Sequence, residues 1–223
     1  MIFRQKEWSK NNIRQATRIV AASFGVVAGG IAGLEHGYFE ILQGNTKPAS
    51  LTFASMGFPC VPERICHACE PAMTLLPNFL ITGILTVILG LLAMIWSVSF
   101  VQRKNGGSIL ILLSVILLWF GGGFFPPLFA VVGGLAGTQI KISLVGKSIG
   151  SILRFAAKLW PWPLLIFMVW VLGQYLVGYF FNDFLRSIMG LSLLLMVVML
   201  PLSIYAGYAH DAQNEVDVPA TSI

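Results

Sequence analysis

The chain has 223 residues, of which 57% are hydrophobic and only 10% are charged. A soluble domain carries about 25% charged residues, so this composition excludes an ordinary water-soluble protein and predicts a surface covered mostly by lipid. The net charge of +5 is clustered between apolar runs, which indicates membrane orientation rather than nucleic-acid binding. We therefore predict an all-α, polytopic helical membrane protein, a single integral domain over residues 1–223, with the lipid bilayer as its partner and no nucleic acid.

The first apolar run, residues 19–34, follows a basic segment, residues 1–18, and extends through Tyr38 and Phe39. Its length of about 20 residues suits one transmembrane helix. The run has no convincing Ala-x-Ala cleavage site and further apolar runs follow it, so we interpret it as a signal anchor. The basic residues before it place the N-terminus in the cytoplasm by the positive-inside rule.

Small residues recur at every fourth position of this first helix. They are Gly25, Gly29, Gly33 and Gly37. Such a glycine zipper lets another helix approach closely, either within the chain or in a homo-oligomer. His36 and Glu40 lie within the arc swept by the glycines, one turn apart. Ionisable side chains inside a span indicate a functional site, whereas at headgroup level they would simply meet water.

Residues 43–72 form a predicted external loop that contains all three cysteines of the chain, Cys60, Cys66 and Cys69. On an oxidising face, one pair would form a structural disulfide bond and leave one thiol. A second interpretation is a redox-active pair, Cys66 and Cys69, with Cys60 as its resolving partner. A third is a metal site formed by the three thiolates and His67, since Cys₃His is a zinc ligand set. The spacing leaves all three open.

The second predicted helix covers residues 72–101. Polar or small residues recur along it at intervals of four: Thr74, Asn78, Thr82, Thr86 and Gly90. Hydroxyl and amide groups form hydrogen bonds between membrane helices, so this face is either a packing contact or one wall of a polar pathway. We take Asn78 and Thr82, together with His36 and Glu40, as the candidate polar site.

The third apolar run, residues 108–140, is too long for one helix and is interrupted by the sequence GGGFFPP at residues 121–127. A single crossing would leave the basic residues of segment 141–160 outside. A turn at Pro126 and Pro127 returns them to the cytoplasmic side, as the positive-inside rule favours. We therefore predict two short crossings, or a re-entrant hairpin with the same sidedness.

Segment 141–160 has the pattern of an interfacial helix, with Lys147, Arg154 and Lys158 on one face. Apolar side chains cover much of the other face, so we expect it to lie against anionic lipid headgroups on the cytoplasmic side. Two more apolar runs, residues 160–181 and 188–208, bring the total to about six membrane-crossing segments. The acidic tail, residues 209–223, then lies in the cytoplasm with the N-terminus.

No motif for nucleotide, haem or hydrolase chemistry is present in the sequence, so we predict no cofactor and leave catalysis unassigned. The leading interpretation is a multi-pass plasma-membrane protein that transports or binds a small solute, or an accessory subunit of a membrane complex. One alternative is a membrane thiol-disulfide oxidoreductase that uses Cys66 and Cys69. Another is a structural protein that dimerises through the glycine zipper. The mid-span residues Gln174 and Tyr175 are interpreted as packing residues.

Overall fold

The computed structural model describes residues 14–54, 70–141 and 150–216, and these residues form helices with one small sheet. The sheet pairs β1 (Thr52–Ala54) with β2 (Pro71–Met73) in antiparallel orientation. The helices of the described ranges are α1 (Gln15–Leu42), α2 (Phe79–Ser99), α3 (Gly106–Trp119), α4 (Phe125–Thr138), α5 (Ser151–Leu159), α6 (Trp162–Phe180), α7 (Asn182–Ser187) and α8 (Met189–Val216).

Four of these helices, α1, α2, α6 and α8, are long and apolar enough to cross a membrane. This finding confirms the prediction of an all-α membrane protein. The apolar helices α3 and α4 have 14 residues each, a length of roughly 21 Å against a hydrocarbon core of roughly 30 Å. Length and composition therefore establish four candidate spans, and the count of about six stays a prediction.

Helix α1 is continuous but changes its winding. Its first part, Gln15–Ala28, is α-helical, the middle part, Gly29–His36, is π-helical, and the last part, Gly37–Leu42, is α-helical again. A π-helical stretch is rare and often accompanies a functional site. The helix extends beyond the predicted apolar run, so His36 and Glu40 belong to its last turns and are buried in the protein rather than exposed to water.

The glycine stripe of α1 packs against α2 in the same chain. A Cβ atom added to Gly29 would lie 2.5 Å from the carbonyl oxygen of Gly90, and one added to Gly37 would lie 2.9 Å from that of Gly83. A Cβ atom on Gly33 would collide with the Cα atom of Gly90. The two backbones are therefore in direct contact, and a dimer through this stripe would require α2 to leave it.

Helices α3 and α4 form an antiparallel hairpin, but its turn differs from the predicted one. The chain turns at residues 120–124, where Gly121 and Gly123 adopt positive φ angles of 103° and 73°. Pro126 and Pro127 instead lie in the first turn of α4. Proline suits that position because the first N–H groups of a helix have no intrahelical partner. The prediction of a turn at the two prolines is therefore wrong by about one helical turn.

The predicted start of α2 at residue 72 is also wrong. The strand β2 occupies residues 71–73, and the helix begins at Phe79. Asn78 is the N-cap of α2, because its side-chain oxygen accepts a hydrogen bond of 3.0 Å from the backbone N–H of Ile81. Thr74 therefore precedes the helix, and only Thr82, Thr86 and Gly90 of the predicted polar face lie on it.

The two ends of the described chain meet at one face of the bundle, which we call the terminal face. Asp211 accepts hydrogen bonds from the backbone N–H groups of Ala16 and Thr17, at 3.0 and 2.7 Å, and so caps the start of α1. Arg14 Nε lies 3.1 Å from Glu215 Oε1. Residues 209–216 are thus the end of α8, and the acidic segment is not a separate tail up to that point. We call the opposite face, which carries β1 and β2, the loop face.

The helices form two groups. Helices α1 to α4 pack on one another, while α6 packs on α8, and α8 reaches α1 near the terminal face. The groups also meet through aromatic rings, since the ring of Phe167 in α6 lies 5.0 Å from that of Phe24 and 5.3 Å from that of Phe129, centre to centre. These edge-to-face contacts join α6 to α1 and to α4.

Helix α5 corresponds to the second half of the predicted interfacial segment. Its residues Ala156 and Ala157 pack against Ala209 of α8, whereas Ile152 and Phe155 are 74% and 65% exposed. Apolar side chains exposed beside the basic residues of a helix are typical of a membrane-surface location. The neighbouring residues 142–149, which include Lys147, lie outside the described residues.

We expect Gly33→Ala to destabilise the protein by roughly 1–3 kcal/mol, because the added methyl group would collide with the backbone of α2. Gly30 is the matched control, since nothing lies within 4 Å of its added Cβ atom. Gly30→Ala should leave stability unchanged or raise it by roughly 0.5–1 kcal/mol. Thermal unfolding of both variants in detergent measures the difference, and equal midpoints would contradict the direct contact of α1 with α2.

Candidate functional site

A buried polar cluster, which we call the polar seam, lies between α1, α2 and the turn of the α3–α4 hairpin. Its central side chain is Glu40, which is 0% exposed. The hydroxyl group of Thr86 donates to Glu40 Oε2 at 3.2 Å and also contacts the carbonyl oxygens of Thr82 and Phe120. The hydroxyl groups of Thr82 and Thr74 lie 3.0 Å apart and extend the seam toward the loop face.

The turn at residues 120–124 covers the polar seam. A Cβ atom added to Gly121 would lie 2.5 Å from Glu40 Oε2, and one added to Gly123 would lie 2.9 Å from His36 Nε2. Glycine is required at both positions, by the positive φ angle and by the close approach. The turn therefore presses its backbone directly onto the two ionisable side chains of α1.

Two atoms of the seam have unused hydrogen-bonding capacity. Within the described residues, Glu40 Oε1 and His36 Nδ1 are buried without a hydrogen-bond partner. A buried polar atom without a partner costs free energy, and such atoms are few in native proteins. The seam therefore has the chemistry of a site for a proton, a water molecule or a small polar group.

The structure unites three of the four residues of the predicted polar site. His36, Glu40 and Thr82 lie in the polar seam. Asn78 does not, because its side chain caps α2 and contacts Asn45 in the loop before β1. Thr86, which the sequence indicated only as part of the periodic polar face, makes the direct contact with Glu40.

A cavity of about 330 Å³ lies beside the seam, between the two helix groups. It extends from the loop face toward the middle of α8. Its walls are mostly apolar, with three polar residues among them; the lining residues are Ile31, Glu70, Pro71, Phe125, Pro126, Phe129, Val171, Gln174, Tyr175, Met189, Leu193, Met196, Val197 and Leu200. An apolar cavity of this size with a few polar groups is typical of a site for a small molecule.

One carboxyl group, that of Glu70, lines the loop-face end of the cavity, and a second, that of Glu35, lies close to it. The hydroxyl group of Tyr175 donates a hydrogen bond of 2.6 Å to Glu35 Oε2, which links α6 to α1. Burial, together with the nearby Glu35 carboxyl group, raises the pKa of Glu70 to about 7. The described part of the chain shows no ion pair between a basic side chain and either carboxyl group.

Gln174 contributes a deeper polar group to the cavity. It is only 5% exposed, and its Oε1 atom is buried without a hydrogen-bond partner in the described residues. Its Nε2 atom makes long contacts with the Val171 carbonyl oxygen at 3.5 Å and with Met196 Sδ at 3.7 Å. The side-chain NH₂ group of Gln174 therefore makes only weak hydrogen bonds, and its carbonyl oxygen accepts none from the described residues.

The cavity was not predicted from the sequence, which indicated packing roles for Gln174 and Tyr175 and no role for Glu35 or Glu70. The available signal was a pair of adjacent polar residues in the middle of an otherwise apolar span. Glu70 directly follows the cysteine-containing segment in the sequence, and no local sequence pattern indicates that it lies near α6.

The cysteine chemistry proposed from the sequence falls on residues that the structure does not describe. Cys60, Cys66, Cys69 and His67 all lie in residues 55–69, outside the described ranges. The structural disulfide bond, the redox pair and the metal site therefore stay predictions. Among the residues that are described, no three His, Cys, Asp or Glu side chains cluster as metal ligands would.

No family model matches the sequence, and no curated protein or solved structure shows significant similarity to it.

We expect Gly121→Ala to be more damaging than Gly44→Ala. Both glycines have positive φ angles, so each substitution strains the backbone by about 1–3 kcal/mol. Only at Gly121 does the new methyl group also meet a side chain, the Glu40 carboxyl group, while nothing lies within 4 Å at Gly44. The free energy of unfolding in detergent should therefore fall further for Gly121→Ala, by about another 1–3 kcal/mol.

The double variant Glu40→Ala, Gly121→Ala tests whether contact with Glu40 causes the larger loss of stability. Glu40→Ala removes the carboxyl group that the new methyl group would meet, so Gly121→Ala should cost less in that background than in the wild-type protein. Equal costs in the two backgrounds would contradict the placement of the turn over Glu40.

Proposed function

We propose that this chain is a six-crossing plasma-membrane protein that binds a small solute in the cavity between its two helix groups, as a step in transport. The observation that carries the proposal is the cavity itself, an apolar space of about 330 Å³ with the polar residues Glu70, Gln174 and Tyr175 among its lining residues. The buried seam beside it, centred on Glu40, supplies the ionisable group that a membrane transport protein commonly places within its spans.

Contacts at the ends of the α3–α4 hairpin support a double crossing. At the loop face, the backbone N–H of Leu75 donates to the carbonyl oxygen of Trp119 at 3.2 Å, where α3 ends. At the terminal face, the backbone N–H of Arg14 donates to the carbonyl oxygen of Ile140 at 3.3 Å, just beyond α4. A hairpin with contacts at both faces favours two crossings, and both chain ends then lie in the cytoplasm by the positive-inside rule.

Reporter fusions test this threading. A reporter active only in the cytoplasm should be active when fused after residue 105, 150 or 215, and inactive after residue 55, 123 or 183. The reason is the asymmetry of lysine and arginine between the two faces. A reporter that is inactive after residue 150 would contradict the double crossing, because segment 141–160 would then be external.

The alternative functions receive no comparable support. The thiol-disulfide oxidoreductase depends on Cys66 and Cys69, which lie outside the described residues. Dimerisation through the glycine zipper would use the surface of α1 that α2 covers. An accessory role in a membrane complex remains compatible with the cavity, since an accessory subunit that binds a solute would use the same site.

A cavity-filling substitution tests the proposed binding. Met196 lines the cavity on α8, so Met196→Trp should fill part of it. Leu194 of the same helix is 58% exposed and does not line the cavity, which makes Leu194→Trp the matched control. The probes are 3-phenylpropylamine, 3-phenylpropanol and 3-phenylpropanoate, which share one apolar body and differ in the polar end.

We expect at least one of the three probes to bind the wild-type protein and the Leu194→Trp variant, and to bind the Met196→Trp variant at least tenfold more weakly. Equilibrium dialysis of tritiated probes against protein in nanodiscs measures this, with empty nanodiscs subtracted. If no probe shows binding that depends on the cavity, the proposed function is wrong.

A further inference from the structure

The cavity presents hydrogen-bond acceptors that its own walls do not satisfy. Gln174 Oε1 is buried in the wall without a hydrogen-bond partner among the described residues. The carboxyl group of Glu70 lies at the loop-face end of the same cavity. Acceptors in an apolar enclosure favour a ligand that brings its own donors, because a buried acceptor left unpaired costs free energy.

Among the described residues, the ionisable acidic groups at this end of the cavity are carboxyl groups without a basic partner. Glu70 lines this end of the cavity, as does Tyr175, and Glu35 accepts a hydrogen bond of 2.6 Å from the Tyr175 hydroxyl group. Across the described ranges, the ion pairs present join Arg14 to Glu215 and Arg186 to Asp183, and neither involves Glu35 or Glu70. An anionic ligand would be repelled by an ionised carboxyl group here, whereas a cation would be attracted to it.

The apolar lining of the rest of the cavity determines what the other end of the ligand must be. Phe125, Phe129 and Met196 lie among its apolar lining residues. Burying an apolar body against these side chains would remove it from water and so favour binding. A ligand that satisfies both ends is an amphipathic amine.

We propose that the cavity binds a protonated amine with an apolar body, the ammonium group meeting Glu70 and Gln174 and the body lying among the apolar residues of α4, α6 and α8. This inference rests on the proposed function, because it names the class of solute that the same cavity takes. It assigns the charged contact to Glu70 and a second, neutral contact to the buried amide of Gln174.

The raised pKa of Glu70 is compatible with binding of a protonated amine above neutral pH. Its pKa of about 7 is raised by burial and by Glu35, so the carboxyl group is mostly ionised at pH 8. The ionised form is the one that an ammonium group stabilises. The binding experiment is therefore carried out at pH 8, where the amine probe is still protonated.

The experiment compares the three phenylpropyl probes on the wild-type protein and four variants in nanodiscs, with equilibrium dialysis as the measurement; the variants are Glu70→Gln, Gln174→Met, Asp183→Asn and Met196→Trp. We expect 3-phenylpropylamine to bind the wild-type protein more tightly than the alcohol, and the carboxylate to bind most weakly. Glu70→Gln should weaken binding of the amine by about tenfold and leave binding of the alcohol unchanged. Gln174→Met, which keeps the length of the side chain, should weaken binding of the amine by a smaller factor.

Asp183→Asn is the matched control for the loss of a carboxyl group. Asp183 also lies near the loop face, in α7, but its side chain is 94% exposed and it does not line the cavity. This variant should bind the amine as the wild-type protein does. Unchanged alcohol binding by Glu70→Gln shows that the cavity of that variant is intact.

The outcomes separate the two proposals. If the alcohol or the carboxylate binds in a way that Met196→Trp abolishes, while the amine does not bind more tightly than the alcohol, the cavity is a binding site but the inference about the amine is wrong. If the amine binds and Glu70→Gln leaves its affinity unchanged, the assigned contact is wrong. If no probe binds in a cavity-dependent manner, both proposals fail.

Discussion

The direct contact between the backbones of α1 and α2 is the interaction on which the rest of the structure depends. In a bilayer, helix association gains little from the hydrophobic effect, so close packing through small residues supplies much of the stability. Gly33 meets Gly90, and Gly37 meets Gly83. Because nothing larger separates the two helices there, Glu40 on α1 lies within hydrogen-bonding distance of Thr86 on α2. The polar seam is thus a consequence of the glycine contact.

The turn at residues 120–124 obeys a second constraint, that buried backbone groups must find hydrogen-bond partners inside the protein. Strand β2 and the residue pair after it supply those partners, since the N–H of Gly121 donates to the carbonyl oxygen of Met73 at 2.8 Å and Leu75 pairs with Trp119. The small sheet therefore stabilises the irregular backbone that covers Glu40 and His36. Without β2, the same glycines would leave unpaired groups next to a buried carboxyl group.

Much of this arrangement was predictable from local patterns. Apolar runs identify the long spans, the fourfold spacing of Gly25 to Gly37 indicates a close helix contact, and the position of Glu40 on that stripe places a carboxyl group at the contact. Other features depend on partners distant in the chain and have no local pattern. The start of α2 at Phe79 requires β2 to pair with β1, and the contact of Tyr175 with Glu35 joins residues 140 positions apart. The π-helical winding of Gly29–His36 likewise corresponds to no local sequence motif.

Helix α1 is the wall that the polar seam and the cavity share. Glu40 projects toward Thr86 of α2, whereas Glu35, five residues earlier, projects toward Tyr175 of α6. The π-helical stretch ends at His36, between these two carboxyl groups, and the turn that covers His36 continues into Phe125 and Pro126, which line the cavity. A change in the winding of α1 would therefore move Glu35 relative to Glu40, and a displacement of the turn would alter the seam and the cavity wall together. The two sites therefore share one helix and one glycine turn, and the proposed solute binding on one side could influence the ionisable group on the other only through these shared elements.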